Sequence, residues 1–267
     1  GSTVINVLNY INQIKKLNIH IVALARNKKR AEEKFSEIVS GGMLNLVEGS
    51  VENLPEISQE IHYIIHGASQ TASKAFVTVP VETLQTALYG TSNLLKLAQH
   101  KNILGFIYLS SMEVYGYPQK GHRVIETEIG ALTPLISRNS YPLGKIACES
   151  LCIAHAKEYD IPCKIIRLTQ TFGPGVDYND GRIFAYFARC VKEQKNIILK
   201  TLGETERSYL YTVDAACAIL TVLTEGKIGA AYNAASEESY CSISAMANMI
   251  ASANGLNVEY ILENNAN

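Results

Sequence analysis

The sequence predicts an α/β protein with a doubly wound parallel sheet, followed by a smaller C-terminal α/β lobe. Short apolar runs of strand length alternate with stretches of helical periodicity from residue 4 to residue 168, which is typical of strands joined by crossover helices. The chain has 267 residues, of which 47% are hydrophobic, so it can bury a sizeable core. Its formal net charge of -1 provides no basic field to hold a nucleic acid, and no nucleic-acid partner is predicted.

The first part of the chain is predicted to alternate between strands and helices. A helix over residues 4–17 leads into a strand at residues 19–25. The later strands are predicted at residues 43–47, 63–66, 106–109 and 163–168. The helices between them are predicted at residues 29–38, 81–100 and 141–159. Because these strands are separated by helices, we expect them to run parallel.

The pattern loosens after Gly173-Pro174, and we place the boundary between the two parts of the chain after residue 172. Helices are predicted at residues 183–192, at residues 213–224 and from Ser242 onward. Strands are predicted near residues 197–199 and 258–262. Residues 173–267 are therefore expected to form the smaller lobe.

The six cysteines are scattered, with no CxxC pair and no histidine spacing of the kind that a structural zinc site needs. We predict buried thiols in a reducing compartment and no metal. The sequence has neither a charged leader followed by an apolar run nor a long uncharged apolar stretch. A cytoplasmic protein without a membrane partner is therefore expected.

Tyr141 and Lys145 lie four residues apart at the start of a predicted helix, which puts them on one face. A tyrosine has a reference pKa of about 10 and is a poor base, but a nearby ammonium favours the phenolate and lowers that pKa. This spacing suits proton transfer. An exposed Tyr–Lys pair on a helix surface would be the alternative explanation of so short a motif.

Ser111 follows a predicted buried strand in the run Phe106-Ile-Tyr-Leu-Ser-Ser-Met-Glu-Val-Tyr-Gly116. Open α/β sheets bind their ligands at the carboxyl ends of the strands, so its hydroxyl is placed to bond a substrate oxygen. The chain thus has a strand, then a serine at its end, then a Tyr-x-x-x-Lys motif. This order resembles the sequence pattern of the extended short-chain dehydrogenase/reductases. His66-Gly-Ala-Ser-Gln70 and Arg167-Leu-Thr-Gln-Thr-Phe-Gly-Pro174 are similar to the nucleotide-sugar branch of that group, the NAD-dependent epimerase/dehydratase family.

The resemblance spans nearly the whole chain and implies a Rossmann-like domain over residues 1–172 that binds NAD. The implied cofactor contacts are Arg26, Ser50, Val51, Ala68, Ser69, Gln70, Tyr141 and Lys145. Such a domain opens with a strand and a Gly-rich turn, because only glycine lets the backbone approach a pyrophosphate closely. Gly1-Ser2 directly precedes the first predicted helix, so the sequence begins after most of that turn, and Gly1 could be its last glycine. Because the chain also stops soon after the strand-like residues 258–262, we expect both of its ends to be incomplete.

The same resemblance implies that residues 173–267 bind a nucleotide sugar. Arg207, in the segment Gly203-Glu-Thr-Glu-Arg207, is the best candidate for a diphosphate ligand, since a guanidinium meets phosphate oxygens bidentately. A surface salt bridge with Glu204 or Glu206 is the alternative. Arg182, in Asn179-Asp-Gly-Arg182, is a second and weaker candidate.

Several positions depart from the family pattern. Ala25-Arg26-Asn27 lacks the acidic residue that usually accepts hydrogen bonds from the adenosine ribose, so Arg26 could pair with the 2′-phosphate of NADP, stack on adenine, or be a solvated loop residue. Ser50 replaces the usual acidic residue near adenine. Ala87 and Gln170 stand where relatives carry asparagines, the second of them on the substrate side. Lys200 falls near a frequent aromatic beside the nucleobase.

Met112 and Glu113 bear on the reaction. Family 4,6-dehydratases place an acid and a base at these positions, and methionine cannot donate the proton that loss of water requires. Glu113 remains a candidate base or sugar-orienting carboxylate. A 4-keto sugar intermediate is implied, with a slight preference for UDP-glucuronate decarboxylation over 4-epimerisation and with 4,6-dehydration disfavoured.

Two further expectations concern alternatives and assembly. The changes at residues 25–27, Ala87 and Gln170 keep open a cofactor-binding regulator without turnover, against which the intact Ser111, Tyr141 and Lys145 count. The family resemblance also implies a homodimer through a helix bundle that includes the helices predicted at residues 81–100 and 141–159. Burial of those helices against the sheet would be the alternative use of their apolar faces.

Overall fold

The computed structural model describes residues 1–70, 73–119 and 121–262. Its contacts group into two compact units. The first unit consists of Gly1–Leu168 and Val213–Asn233, and the second of Thr169–Thr212 and the chain from Ala234 onward. Residues 213–233 therefore lie in the first unit, although they follow the boundary that the sequence suggests after residue 172.

Both helices and strands occur throughout the chain. The strands in the described residues are β1 (Ile21–Ala25), β2 (Leu44–Glu48), β3 (Tyr63–His66), β4 (Gly105–Ser111), β5 (Cys163–Leu168), β6 (Gln170–Phe172), β7 (Ile197–Leu199), β8 (Glu206–Arg207), β9 (Tyr209–Tyr211), β10 (Ala231–Ala234), β11 (Cys241–Ser242) and β12 (Val258–Tyr260). The helices are α1 (Ser2–Lys15), α2 (Lys28–Lys34), α3 (Ser36–Ser40), α4 (Ala75–Thr78), α5 (Pro80–Lys101), α6 (Ser140–Tyr159), α7 (Ile183–Glu193), α8 (Thr212–Glu225) and α9 (Ile243–Ala253).

The strands of the first unit form two ladders. β1 pairs in parallel with β2, and a second sheet has the order β10-β5-β4-β3, with β3, β4 and β5 parallel. Where the structure describes the chain, these two ladders are not hydrogen-bonded to each other. The predicted α/β class with parallel strands and crossover helices is confirmed.

The core of the first unit lies along β4 because its side chains are apolar on both faces. Phe106 and Ile107 are 0% exposed and Tyr108 is 1% exposed. Leu95 of α5 and Cys148 of α6 pack with Phe106 and Tyr108 in one cluster. Burying one such large side chain contributes about 1.5–3 kcal/mol, so this cluster fixes α5 and α6 against the sheet.

The prediction of a single helix at residues 29–38 is wrong, because the structure has the two short helices α2 and α3 there. Phe35, which separates α2 from α3, has non-helical angles of φ -121 and ψ 27. Its side chain is buried with Leu44 and Leu46 of β2. The burial of Phe35 against β2 accompanies this interruption of the helix.

The second unit has its own small core. Phe187 of α7, Ile197 of β7 and Ala247 of α9 are 0% exposed and pack in one cluster. β6 pairs in parallel with β9, β12 pairs in parallel with β7, and β11 pairs with β8 in the antiparallel sense. The strands β6, β8, β9 and β11 are only two or three residues long, and the sequence pattern did not predict them.

Four of the six cysteines are buried as predicted, and Cys241 is half-buried. The prediction is wrong for Cys217, which is exposed on α8. Among the described residues no helix combines the length and the apolar character needed to cross a membrane. Nor do three or more histidine, cysteine or acidic side chains of that part of the chain come together as metal ligands would.

Candidate active site

Helix α6 carries Tyr141 and Lys145. A short 3-10 turn over Ser137–Asn139 leads into it, and the Asn139 side-chain amide donates a hydrogen bond to the Thr133 carbonyl at 2.9 Å. Lys145 is 4% exposed, and its Nζ donates to the Leu109 carbonyl of β4 at 2.7 Å. This bond ties the lysine to the strand that ends in Ser111.

Ser111 is the last residue of β4 and is half-buried. Its Oγ accepts a hydrogen bond from the Glu113 backbone N–H at 3.2 Å and so caps the 3-10 helix Met112–Tyr115. The Ser111 hydroxyl also lies near the Tyr141 phenol and lowers its pKa. The structure therefore brings Ser111, Tyr141 and Lys145 together, the first from the strand and the other two from the helix beside it.

Burial dominates the electrostatics of this group. It raises the pKa of the Tyr141 phenol to about 12, and the Ser111 hydroxyl opposes this rise. It lowers the pKa of the Lys145 ammonium to about 8. Lys145 Nζ lies 5.7 Å from the centre of the Tyr141 ring. Since the lysine stays charged at neutral pH, it is a source of positive charge for a phenolate that burial disfavours.

The sequence does not predict two residues that lie beside Tyr141, namely Arg138 and Phe76. Arg138 donates from Nη1 to Glu113 Oε2 at 2.8 Å, which places the candidate carboxylate Glu113 in an ion pair. Phe76 of α4 is 2% exposed and stacks on Tyr141, with ring centres 4.2 Å apart and planes at 10°. Arg138 could have been predicted from its position three residues before Tyr141, because residues at this spacing lie close together at the start of a helix.

His66 ends β3 and belongs to the core. It is 1% exposed, and its Nε2 shares a hydrogen bond of 2.9 Å with Thr91 Oγ1 of α5. Its Nδ1 has no hydrogen-bond partner among the described residues. Burial lowers the pKa of this imidazole to about 3, so the ring is neutral. A neutral, packed histidine is a structural residue of the strand.

Apart from Tyr141 and Lys145 on α6, the residues assigned to the cofactor lie after strands of the first unit. Arg26, after β1, is exposed and lines a shallow surface depression with Asn27, Lys28, Lys29, Glu32 and Glu48. After β2, Ser50 Oγ accepts from the Asn53 backbone N–H at 3.2 Å, and Val51 is 7% exposed. After β3 come Ala68, which is exposed, and the half-buried Ser69 and Gln70.

The residues assigned to the substrate lie in the second unit. Gln170 begins β6 opposite Tyr209, and Lys200 follows β7 and is exposed. Arg207 is half-buried in β8. Arg182 precedes α7 and forms a bidentate ion pair with Asp180, with Nη2 to Oδ2 at 2.6 Å and Nε to Oδ1 at 2.9 Å. This arginine is thus already engaged by a carboxylate.

Similarity to known proteins agrees with this geometry. A model of the NAD dependent epimerase/dehydratase family matches residues 6–235. The chain belongs to this family. The match includes Ser111, Tyr141 and Lys145, which agrees with the resemblance seen in the sequence.

Curated relatives of this family member include two kinds of enzyme. UDP-glucuronic acid decarboxylase 1 of Xenopus tropicalis is 29% identical over 164 residues, which are 61% of this chain and 38% of that protein. The dTDP-D-glucose 4,6-dehydratase of Bos taurus is 28% identical over 176 residues, or 66% of this chain and 47% of that protein. The matched part thus spans less than half the length of either relative.

A solved structure with the same fold is the dTDP-glucose 4,6-dehydratase of Streptomyces venezuelae with NAD bound. It superposes with a TM-score of 0.82 at 17% identity and covers 98% of this chain and 81% of that one. At this identity the similarity shows the fold. It agrees with the α/β class that the sequence predicts.

The family name implies a nicotinamide cofactor, and residues of the first unit fit one. An ammonium has three donors, and the structure records one acceptor for Lys145 Nζ among the described residues, so it retains capacity for ribose hydroxyls. Gly67 and Ala68 are exposed after β3 and lack bulky side chains, so a flat ring can approach the backbone closely there. Lys145, Tyr141 and residues 68–70 are the groups best suited to hold it.

Proposed function

We propose that this family member is an NAD(P)-dependent enzyme that modifies a nucleotide-linked sugar through a 4-keto intermediate. The observation that supports it most is the convergence of Ser111, Tyr141 and Lys145, with Ser111 close enough to Tyr141 to lower the pKa of its phenol. A hydroxyl donor, a tyrosine and a buried ammonium are the groups that oxidation of a secondary alcohol requires. The bound nicotinamide supplies the hydride acceptor.

Each side chain has a part in this proposal. Tyr141 as phenolate takes the proton of the sugar C4 hydroxyl. Ser111 hydrogen-bonds the same oxygen and holds it at the tyrosine. Lys145 stabilises the phenolate by its charge and orients the ribose of the cofactor. Phe76 covers one face of the Tyr141 ring and excludes water from it.

The choice of reaction depends on the fate of the 4-keto sugar. A glucuronate oxidised at C4 is a β-keto acid, which loses its carboxylate readily and would then be reduced at C4 by the hydride that the cofactor had accepted. A neutral 4-keto sugar would instead receive the same hydride on its other face and give the 4-epimer. Met112 cannot serve as the acid of a 4,6-dehydratase. Glu113 remains available to orient the sugar. Among these outcomes we favour UDP-glucuronate decarboxylation, supported by the similarity to the Xenopus tropicalis decarboxylase.

Substrate contacts are assigned within the same proposal. Arg207 binds the diphosphate, because a half-buried guanidinium suits bidentate phosphate recognition. Gln170 and Lys200 line the sugar and base positions, and Arg182 contributes when it leaves Asp180. NAD is the preferred cofactor. NADP is the alternative because Arg26 stands where many relatives carry the acidic residue that binds the ribose of NAD.

The assembly proposed is a cytoplasmic homodimer through α5 and α6. The exposed apolar side chains on these helices support a second copy as the occupant, with Val81 67% and Tyr89 57% exposed on α5, and Ile153 39% and Tyr159 44% exposed on α6. Light scattering of the purified protein should give twice the monomer mass. The double change Tyr89→Glu and Ile153→Glu should give a monomer.

The test of the function uses the full-length protein with UDP-glucuronate and either NAD or NADP. Release of CO2 together with UDP-xylose is the expected result, and the cofactor that supports faster turnover decides between the two. Interconversion of UDP-glucose and UDP-galactose without decarboxylation would establish the 4-epimerase instead. Formation of a 4-keto-6-deoxy sugar from dTDP-glucose would refute the argument from Met112.

A further inference from the structure

A buried ion pair that the proposed chemistry does not use lies beneath the active-site strand. Arg167 of β5 is 4% exposed and Glu149 of α6 is 6% exposed. The pairing is bidentate, with Arg167 Nη2 donating to Glu149 Oε2 at 2.7 Å and Nε donating to Oε1 at 3.0 Å. Both charges are thus withdrawn from water.

Further hydrogen bonds extend this pair to other elements of the first unit. Ser110 of β4 donates from Oγ to Glu149 Oε1 at 2.5 Å. Arg167 Nη1 donates to Tyr115 Oη and to the Glu126 carbonyl, both at 2.9 Å. Tyr115 Oη in turn donates to Asn233 Oδ1 at 2.6 Å. The network therefore connects β4, α6, β5, β10 and the segment after β4.

The members of this network adjoin the catalytic candidates along the chain. Ser110 directly precedes Ser111 in β4. Glu149 follows Lys145 by one helical turn and Tyr141 by two. A buried ion pair adds little stability compared with apolar side chains of similar volume, because desolvation offsets the attraction. Its geometry, however, restricts how the helix and the strands can pack.

We propose that Glu149 is a positioning residue, which through Ser110 and Arg167 fixes the strand that carries Ser111 against the helix that carries Tyr141 and Lys145. This inference rests on the proposed function for its catalytic readout. Arg167 holds the carboxylate at two points, and Ser110 binds the same oxygen as Arg167 Nε. A shift of α6 along β4 would break these bonds together with the bond from Lys145 to Leu109.

The charge of Glu149 also acts on Lys145. The titratable groups around the Lys145 ammonium are Tyr141, Cys148, Glu149 and Cys152 from its own helix, and His66 and Tyr108 from the strands packed against it. Burial raises the pKa of the Tyr108 phenol and of the Cys148 thiol, and it lowers that of His66, so these groups are neutral near pH 7. Burial lowers the pKa of Lys145, and the Glu149 carboxylate opposes that shift.

The test compares Glu149→Gln with Glu149→Asp in the full-length protein, with Glu158→Gln as the matched control. Glu158 lies on the same helix but is exposed. For Glu149→Gln we expect kcat to fall by about ten- to hundredfold with little change of KM, because small misplacements of catalytic groups cost this much. Glu149→Asp should recover part of kcat. Glu158→Gln should behave as the unmodified protein.

A second readout does not depend on turnover. Lysines labelled with 13C at Cε allow the ammonium of Lys145 to be titrated by NMR, with Lys145→Met to identify its signal. We expect Glu149→Gln to lower the midpoint, since the Glu149 carboxylate favours the charged ammonium. Unchanged kcat in a folded Glu149→Gln protein would overturn the positioning role, and an unmoved midpoint would overturn the action of the Glu149 charge on Lys145.

A folding failure and a lack of turnover are distinguishable from each other. If Glu149→Gln fails to fold because Arg167 is left unpaired, the double change Glu149→Gln with Arg167→Met removes both charges. Normal kcat in that double variant would contradict the proposal, and lowered kcat with an intact fold would support it. If the unmodified protein has no turnover, the proposed function fails, and the Lys145 midpoint still decides whether Glu149 acts on the lysine.

Discussion

Arg138 holds Glu113 in an ion pair of 2.8 Å, and the same guanidinium lies over the ring of Phe76, which stacks on Tyr141. Both charges thus belong to the surroundings of the phenol. Burial and the carboxylate of Glu113 raise the pKa of Tyr141, whereas the hydroxyl of Ser111 and the guanidinium of Arg138 lower it. The pair therefore balances two opposite effects on one group.

Removing one partner at a time should shift the pH dependence of kcat/KM in opposite directions. Glu113→Gln removes an anion and should lower the pKa of Tyr141, so that the acid limb moves to lower pH. Arg138→Gln removes a cation and should move that limb to higher pH, each by about half a unit to one unit. Shifts of the same sign in both variants would show that the pair does not act on Tyr141 through its charges.

Tyr141→Phe should lower kcat by about 10²- to 10⁴-fold, because it removes the proton acceptor and keeps the ring that stacks on Phe76. Cofactor affinity, measured by fluorescence titration, should stay close to that of the unmodified protein. Tyr159→Phe at the exposed end of α6 is the matched control and should keep full activity. Normal turnover by Tyr141→Phe would exclude the phenol as the base.

Activity should be lost as pH rises through about 8, since the buried Lys145 ammonium has a pKa of about 8 and is needed in its charged form. Below that pH the lysine is protonated, and its charge favours ionisation of Tyr141, whose pKa burial raises to about 12. Lys145→Arg should retain part of the activity without this alkaline loss, because a guanidinium stays charged. Lys145→Met should be inactive at every pH. A pH–rate profile of the three proteins makes the comparison.

Phe76→Ala should lower the free energy of unfolding by about 3–5 kcal/mol, as expected for removal of a fully buried phenylalanine. Phe76 is 2% exposed, so the change leaves a cavity beside Tyr141. Phe76→Leu should cost clearly less. Urea unfolding followed by circular dichroism measures both. Equal stability of all three proteins would mean that Phe76 is not packed as described.

Cys217 should react first with a maleimide in the native protein, because it is the exposed cysteine of the six. Cys148, Cys152, Cys163 and Cys190 are buried and should react only after denaturation. Mass spectrometry of the labelled peptides identifies the sites. Cys217→Ser should remove the fast phase of labelling. Fast labelling of any of the four buried thiols would contradict the packing of the core.

The sequence predicts an element accurately where apolar residues recur at regular spacing over many residues. The helices α5 and α6 were predicted to within one residue at each end, because their apolar positions repeat over many turns. The break at Phe35 was missed because it depends on a contact with β2, which a local pattern does not contain. Short strands such as β8 were missed for the same reason.

The candidate site was predicted as far as local spacing allowed. Tyr141 and Lys145 follow from a four-residue interval, and Ser111 from its place at a strand end. The ion pairs Arg138–Glu113 and Arg167–Glu149 join different elements, so they depend on how α6 packs against the sheet. A single sequence carries no direct sign of such pairings, although Arg167 belongs to the segment Arg167–Pro174 that resembles the family.

The register of β4 against β5 has a consequence for how this protein can change during evolution. Ser110 lies opposite Arg167 and Ser111 opposite Leu168, and successive side chains of a strand point to opposite faces. The two neighbouring hydroxyls are therefore not interchangeable. Inserting or deleting one residue in β4 would exchange their faces. Glu149 would then lose its hydrogen bond from Ser110, and the proposed substrate side would lose the hydroxyl of Ser111. We therefore expect related proteins to have no insertions or deletions within β4, whereas the length of the segment after it can vary.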